Sequence, residues 1–225
     1  MAARAPVGST RGATVGVARE QVLDTGRGPA RATAYLPAGR TKPTVLVVAL
    51  HGAGTDTSRP PLPALCASLA AQGFGAVRFD QPYQVAGRKA PDAAHLLDRV
   101  LLDALPEIRR FAVRGARLAF VGRSSGARVA CRIAAAADAA AIACLGFPYQ
   151  PPTRKGGAVP ADRGEELRAG AAVCPVLVVQ GSRDPFGRPP VSDGVRIVVA
   201  DGAAHVPTDA MAAIAAEWLV ETLGC

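Results

Sequence analysis

The chain has 225 residues, 49% hydrophobic and 20% charged, with 26 Lys+Arg against 18 Asp+Glu and a net charge of +8. This composition can bury a full core and excludes a disordered or collagen-like chain. No uncharged apolar run approaches the roughly 18 residues that would cross a bilayer; the longest, 45–50 and 139–147, are far shorter, so no membrane partner is expected.

The N-terminal stretch carries Arg4 and Arg11 and no apolar core. It does not read as a secretory leader, so export is not expected, a cytoplasmic location is, and residues 1–12 are expected to be flexible. Two fairly polar runs, 14–23 and 30–36, flank Asp24-Thr25-Gly26-Arg27-Gly28-Pro29 and read as an antiparallel strand pair. Val-rich blocks then mark six buried strands: 44–50 (TVLVVAL), 75–79, 117–121, 141–145, 176–180 and 195–199. Between and after them, helical periodicity runs over 63–72, 91–111, 125–137 and 206–223. Short apolar strands alternating with helices predict an α/β fold with a mostly parallel sheet. The Pro-, Gly- and charge-rich stretch 147–173, with a short helix over 165–169, reads as a lid or wall within one domain spanning 1–225.

Cys66, Cys131, Cys144, Cys174 and Cys225 are odd in number and form no C-x-x-C pair, which fits reduced thiols. His51, His95 and His205 have no zinc-ligand spacing, so no metal is expected. The arginines are scattered without basic tracts, and no nucleic-acid partner is expected.

Gly122-Arg123-Ser124-Ser125-Gly126 follows one strand directly and opens the helix 125–137. A serine held on such a sharp strand-to-helix turn is exposed for attack, and the tight turn needs small residues at Gly122 and Gly126. The helix N-terminus adds positive potential, and the Ser125 N–H points to where an oxyanion would form. A nucleophilic Ser124 needs a base and an orienting acid. Asp184 follows the strand 176–180 and His205 follows the strand 195–199, so all three lie past the carboxyl ends of parallel strands, where open α/β sheets bind ligands. Asp193 and Asp201 are rival acids; Asp201 is the poorer because it precedes the histidine on the same short loop.

After the strand 44–50 comes His51-Gly52-Ala53-Gly54. The Ala53 N–H is the expected second oxyanion donor, with Gly52 and Gly54 letting the chain turn; one such donor is worth about 3 kcal/mol in the transition state. His51 reads as a structural residue bonded to nearby backbone, and His95 as a helix-face residue. Arg123, Arg128 and the pair Arg88-Lys89 are candidate contacts for an anionic substrate.

Together, ALHGAG, VRFDQPYQVAGRKAPD, VGRSSGARVACR, LGFPYQPP and VLVVQGSRDPFG resemble a family of bacterial α/β-hydrolase-like proteins. That family is grouped with testis-expressed protein 30 and with subunit 3 of the NSL histone-acetyltransferase complex, and is distantly similar to dienelactone hydrolases. The resemblance runs from about Val45 to the C-terminus, and its most specific parts are the stretches 78–92 and 147–152. It implies the α/β-hydrolase fold, an eight-stranded, mostly parallel sheet flanked by helices with no large cap, and supports Ser124, Asp184 and His205 as the triad. Two departures stand out: Tyr149-Gln150 where relatives often carry Leu-His, and Val206-Pro207 after the histidine. The expected function is a serine hydrolase, an esterase or thioesterase on a small acyl substrate, that needs no cofactor. The alternative is a vestigial α/β-hydrolase domain serving as a protein-interaction module; transfer to an acceptor other than water, or peptide cleavage, would use the same triad.

Overall fold

The computed structural model describes residues 19–39, 41–153 and 157–224. The expected flexible segment 1–12 and the first part, 14–18, of the first expected strand lie outside them. In chain order the elements are β1 (Arg19–Thr25), β2 (Gly28–Tyr35), β3 (Val45–Leu50), α1 (Leu62–Ala71), β4 (Gly75–Asp80), α2 (Pro82–Val85), α3 (Ala94–Arg109), β5 (Arg117–Arg123), α4 (Ser125–Ala137), β6 (Ala139–Leu145), α5 (Gly164–Ala171), β7 (Val176–Gly181), β8 (Val195–Ala200) and α6 (Asp209–Leu223).

The strands form one eight-stranded sheet in the order β1-β2-β4-β3-β5-β6-β7-β8. β2 runs antiparallel to both β1 and β4, and every other pairing is parallel. All six residues of β3 are buried, as expected of a strand covered on both faces. Alternation sorts its side chains into two cores. Leu46, Val48 and Leu50 join the side chains of α3 and α4. Val45, Val47 and Ala49 join those of α1 and α6, including Leu65, Leu69, Met211 and Trp218.

Differences from the expected boundaries have local causes. α6 begins at Asp209 rather than 206: Pro207 biases Val206 away from helix, and Thr208 caps the helix by accepting the Met211 N–H at 3.3 Å. α3 begins at Ala94 rather than 91, where the Arg88 guanidinium holds the Asp92 carboxylate through two bonds of 2.8 and 3.0 Å. The four-residue α2 was not expected.

Within the 147–173 stretch, α5 is fastened to the body by the arginines of α4. Arg128 makes a two-bond ion pair with Glu166, both at 2.6 Å, and Arg132 bridges Glu166 to Asp98 of α3. Burial pushes the Glu166 carboxyl up, but the two guanidiniums outweigh it and hold it below the usual range. No large cap stands over the sheet, and among the described residues no helix is long and apolar enough to cross a membrane.

Candidate active site

β5 runs two residues past its apolar block, to Arg123, and hands over to α4 at Ser124, whose φ of 50° and ψ of −114° are rare for a residue with a side chain. The turn persists because its neighbours enforce it. The Ser124 N–H donates to Leu145 O at 3.1 Å, and the Ala127 N–H donates to Ser124 O at 3.0 Å. A Cβ on Gly122 would collide with the Ala127 backbone, and one on Gly126 would lie 2.6 Å from His51 O and 2.7 Å from Leu50 O. Both glycines are thus required by close backbone approach.

Ser124 Oγ lies 2.8 Å from His205 Nε2, and His205 Nδ1 lies 2.8 Å from Asp184 Oδ2. The Asp184 carboxylate accepts from Nδ1–H, which leaves Nε2 free to accept the Ser124 hydroxyl proton. The Asp184 side chain is fully buried, while that of His205 keeps 22% of its surface exposed. The rival acids stand elsewhere: Asp201 accepts the Ser182 hydroxyl at 3.2 Å, and Asp193 is exposed on the loop before β8.

Two further residues hold the acid, and the sequence reading passed over both. Gln180, at the end of β7 and fully buried, directs Nε2 at Asp184 Oδ2 (2.7 Å), Gly187 O (2.8 Å) and Phe147 O (3.2 Å), while its Oε1 has no partner. Three surrounding oxygens fix which end of the amide faces the acid. The Phe186 N–H donates to Asp184 Oδ1 at 2.9 Å, and its ring packs at 4.4 Å, centre to centre, on the His205 imidazole. Gln150 pins this loop: its N–H donates to Phe186 O at 2.7 Å and its side chain to Pro160 O at 2.6 Å.

On the other side of Ser124 the loop 51–54 comes close. A Cβ on Gly52 would touch the Ser124 Cβ at 3.4 Å. Among the described residues, the N–H groups of Ala53 and Ser125 have no hydrogen-bond partner, which leaves both free to donate to a ligand. His51 is buried between two backbone groups. The Gln81 N–H donates to its Nε2 at 3.1 Å, so Nδ1 carries the proton and donates to Gly52 O at 2.9 Å. The resemblance-bearing stretch 78–92 supplies the brace for this loop. Besides Gln81, it contributes Asp80, which accepts the Thr57 N–H at 2.7 Å, and Tyr83, whose ring meets His51 edge-on and whose hydroxyl is pushed up to about 12 by burial. A small apolar cavity between Phe79, Tyr83, Leu97 and Val129 reaches Ser125 and Gly126.

Burial lowers the pKa of His51. Above its unfolded value of about 6.5, both states are neutral. As pH falls below that value the unfolded chain takes up the proton first, so stability drops until the lower folded value is reached. The urea midpoint is therefore expected to fall between pH 7.5 and 5.5, and to fall less in His51→Gln; equal slopes would contradict the buried neutral imidazole.

Of the candidate anion contacts, Arg128 is committed to Glu166 and Arg88 to Asp92. Arg123 is partly buried and Lys89 exposed, and neither has an acidic partner among the described residues. His95 is exposed on α3.

A family model described as alpha/beta hydrolase domain matches residues 43–208. No curated protein sequence matches the chain. Solved structures share the fold at low identity. An alpha-beta serine hydrolase homologue from Coxiella burnetii aligns with a TM-score of 0.69 at 19% identity, over 92% of this chain and 97% of the other. A dienelactone hydrolase from Anabaena variabilis aligns at 0.67 and 18%, over 92% and 99%. Est1E from Butyrivibrio proteoclasticus aligns at 0.66 and 14%, over 92% and 99%.

Proposed function

Since the chain belongs to this alpha/beta hydrolase domain family, we propose that it is a serine hydrolase acting on an ester or thioester of a small acyl compound, with Ser124, His205 and Asp184 as its triad. The observation that carries the reading is the continuous relay of 2.8 Å contacts from Ser124 Oγ through His205 to Asp184 Oδ2 at a strained strand-to-helix turn. His205 Nε2 takes the hydroxyl proton as Ser124 Oγ attacks the carbonyl carbon, and Asp184 stabilises the imidazolium. The N–H groups of Ala53 and Ser125 receive the negative charge that develops on the carbonyl oxygen. Collapse expels the alcohol or thiol, which takes the proton from His205. Water, deprotonated by the same imidazole, then releases the acid from Ser124.

The stretches 78–92 and 147–152 favour a grouping with testis-expressed protein 30 and NSL-complex subunit 3, and the buried free thiols Cys66, Cys131, Cys144 and Cys174 fit a reducing cytoplasm. We take residues 1–225 as one domain whose 147–173 stretch walls one side of the site.

A fluorophosphonate probe, which phosphonylates an activated serine, tests the reading. Labelling of the wild type at Ser124, located by mass spectrometry, is the expected result. A folded wild type that takes no label would instead favour the interaction-module alternative. With no large cap to enclose a lipid tail and only a small cavity behind Ser125, kcat/KM for p-nitrophenyl esters is expected to peak at two to four acyl carbons, about tenfold or more above the twelve-carbon ester. A maximum at long chains would contradict this.

A further inference from the structure

Most of the described arginines have a side-chain partner. Among the described residues, the partly buried ones each have a partner: Arg31 pairs with Glu20, Arg78 lies over the Tyr35 ring, and Arg109 donates to Ala137 O. Arg128 and Arg132 hold acids, and Arg163 donates to Pro148 O. Arg123 is the exception: its side chain has no hydrogen bond, ion pair or ring contact. A guanidinium presents five donors, and partial burial without an acceptor is unfavourable. The cost shows as a pKa lowered by desolvation, with no nearby acid opposing it.

Its position makes the exception meaningful. Arg123 is the residue before Ser124, at the carboxyl end of β5. A Cβ placed on Gly52 would touch both the Ser124 Cβ (3.4 Å) and the Arg123 Cγ (3.7 Å), so the two side chains leave the backbone around one point beside the oxyanion loop. The acids nearest this loop are turned to backbone: Asp80 accepts the Thr57 N–H, and Asp56 accepts the Ser58 N–H at 2.8 Å. His51, neutral by its two backbone bonds, adds no competing charge. The overall charge of +8 draws anions towards the molecule.

We propose that Arg123 is the specificity residue of this site and binds an anionic oxygen group, a carboxylate or a phosphate, carried by the substrate close to its scissile carbonyl. The proposal rests on the hydrolase reading and names its substrate class: an acyl ester or thioester with a negatively charged end, in place of a plain aliphatic one. A planar guanidinium suits either anion through two parallel bonds. Arg123 does not take part in bond-making; it positions the substrate against Ser124.

The test uses the full chain with two p-nitrophenyl esters of equal length, the hemiglutarate and its neutral glutaramate analogue, in which a primary amide replaces the carboxylate, each rate corrected for spontaneous hydrolysis. Wild type is expected to prefer the charged ester by about tenfold or more in kcat/KM, the scale of one charge-assisted hydrogen bond, mainly through KM. The preference should shrink as salt is raised. In Arg123→Gln the ratio is expected to fall towards one, and Arg123→Lys should restore part of it. A merely structural arginine would depress both esters together and leave the ratio in place, which would overturn the proposal. A ratio near one in a wild type that still takes the fluorophosphonate label at Ser124 would also overturn it while leaving the hydrolase reading standing. Absence of both label and turnover would remove the two together. Competitive inhibition by glutarate but not by inorganic phosphate assigns a carboxylate, and the converse assigns a phosphate; inhibition by neither counts against the site.

Discussion

Ser124→Ala and His205→Ala are each expected to lower kcat for a short p-nitrophenyl ester by about 10⁴ to 10⁶, and the double variant by no more than the worse single one. The non-additivity follows from the geometry. Ser124 Oγ and His205 Nε2 share one proton across 2.8 Å, so removing either partner leaves the other without a role in attack. What persists is the oxyanion pair and substrate binding, which can hold a carbonyl near water. Both side chains are partly exposed and neither fills a core, so unfolding should not account for the loss; circular dichroism and melting temperature beside the rates would check this. Losses that multiplied in the double variant would indicate two independent contributions and would count against the relay.

The sheet was legible because its central parallel strands bury short apolar blocks on both faces, as in Val45–Leu50, and such blocks look alike in any sequence context; β8, at the sheet edge, kept the apolar pattern although it is only half-buried. The turn at Ser124 was legible because backbone crowding leaves only glycine at 122 and 126, and the structure places the Ala127 backbone and His51 O where their side chains would stand. The positions of Asp184 and His205 at strand ends followed from the same alternation of elements. What the sequence hid were contacts made across chain distance. Gln180 stands at the end of an apolar strand, and that break in pattern was its only signal; nothing local says that its amide meets Phe147 O, Gly187 O and the acid. The four-residue α2 is too short to show a period, yet it sets Tyr83 beside His51. Arg123 was one of several candidate anion contacts in the sequence, and only the structure separates it from Arg88 and Arg128, which are committed to Asp92 and Glu166.

Asp184→Asn is expected to keep the fold and lower kcat by about 10⁴, for a reason that runs through its neighbours. Asp184 Oδ1 accepts from the Phe186 N–H, a backbone donor that cannot turn round, so the asparagine must put its carbonyl oxygen there. Its NH₂ then occupies the Oδ2 position, facing His205 Nδ1 and the Gln180 amide. Gln180 keeps its amide as it stands, because turning it would set Oε1 against Gly187 O and Phe147 O, and it loses only its bond to the Oδ2 position. His205 can adapt only by taking the other tautomer, with Nδ1 accepting and Nε2 protonated, and that form cannot receive the Ser124 proton. Gln180→Leu acts one step further out. The acid keeps its charge and its bond to His205 but loses the 2.7 Å donor that fixes Oδ2, so a smaller loss, about ten- to a hundredfold in kcat with KM little changed, is expected. The two variants separate tautomer control from positioning. A kcat for Asp184→Asn within tenfold of wild type would mean that His205 takes its orientation from elsewhere, whereas a loss in Gln180→Leu as deep as that in Asp184→Asn would make the glutamine as necessary to the relay as the acid itself.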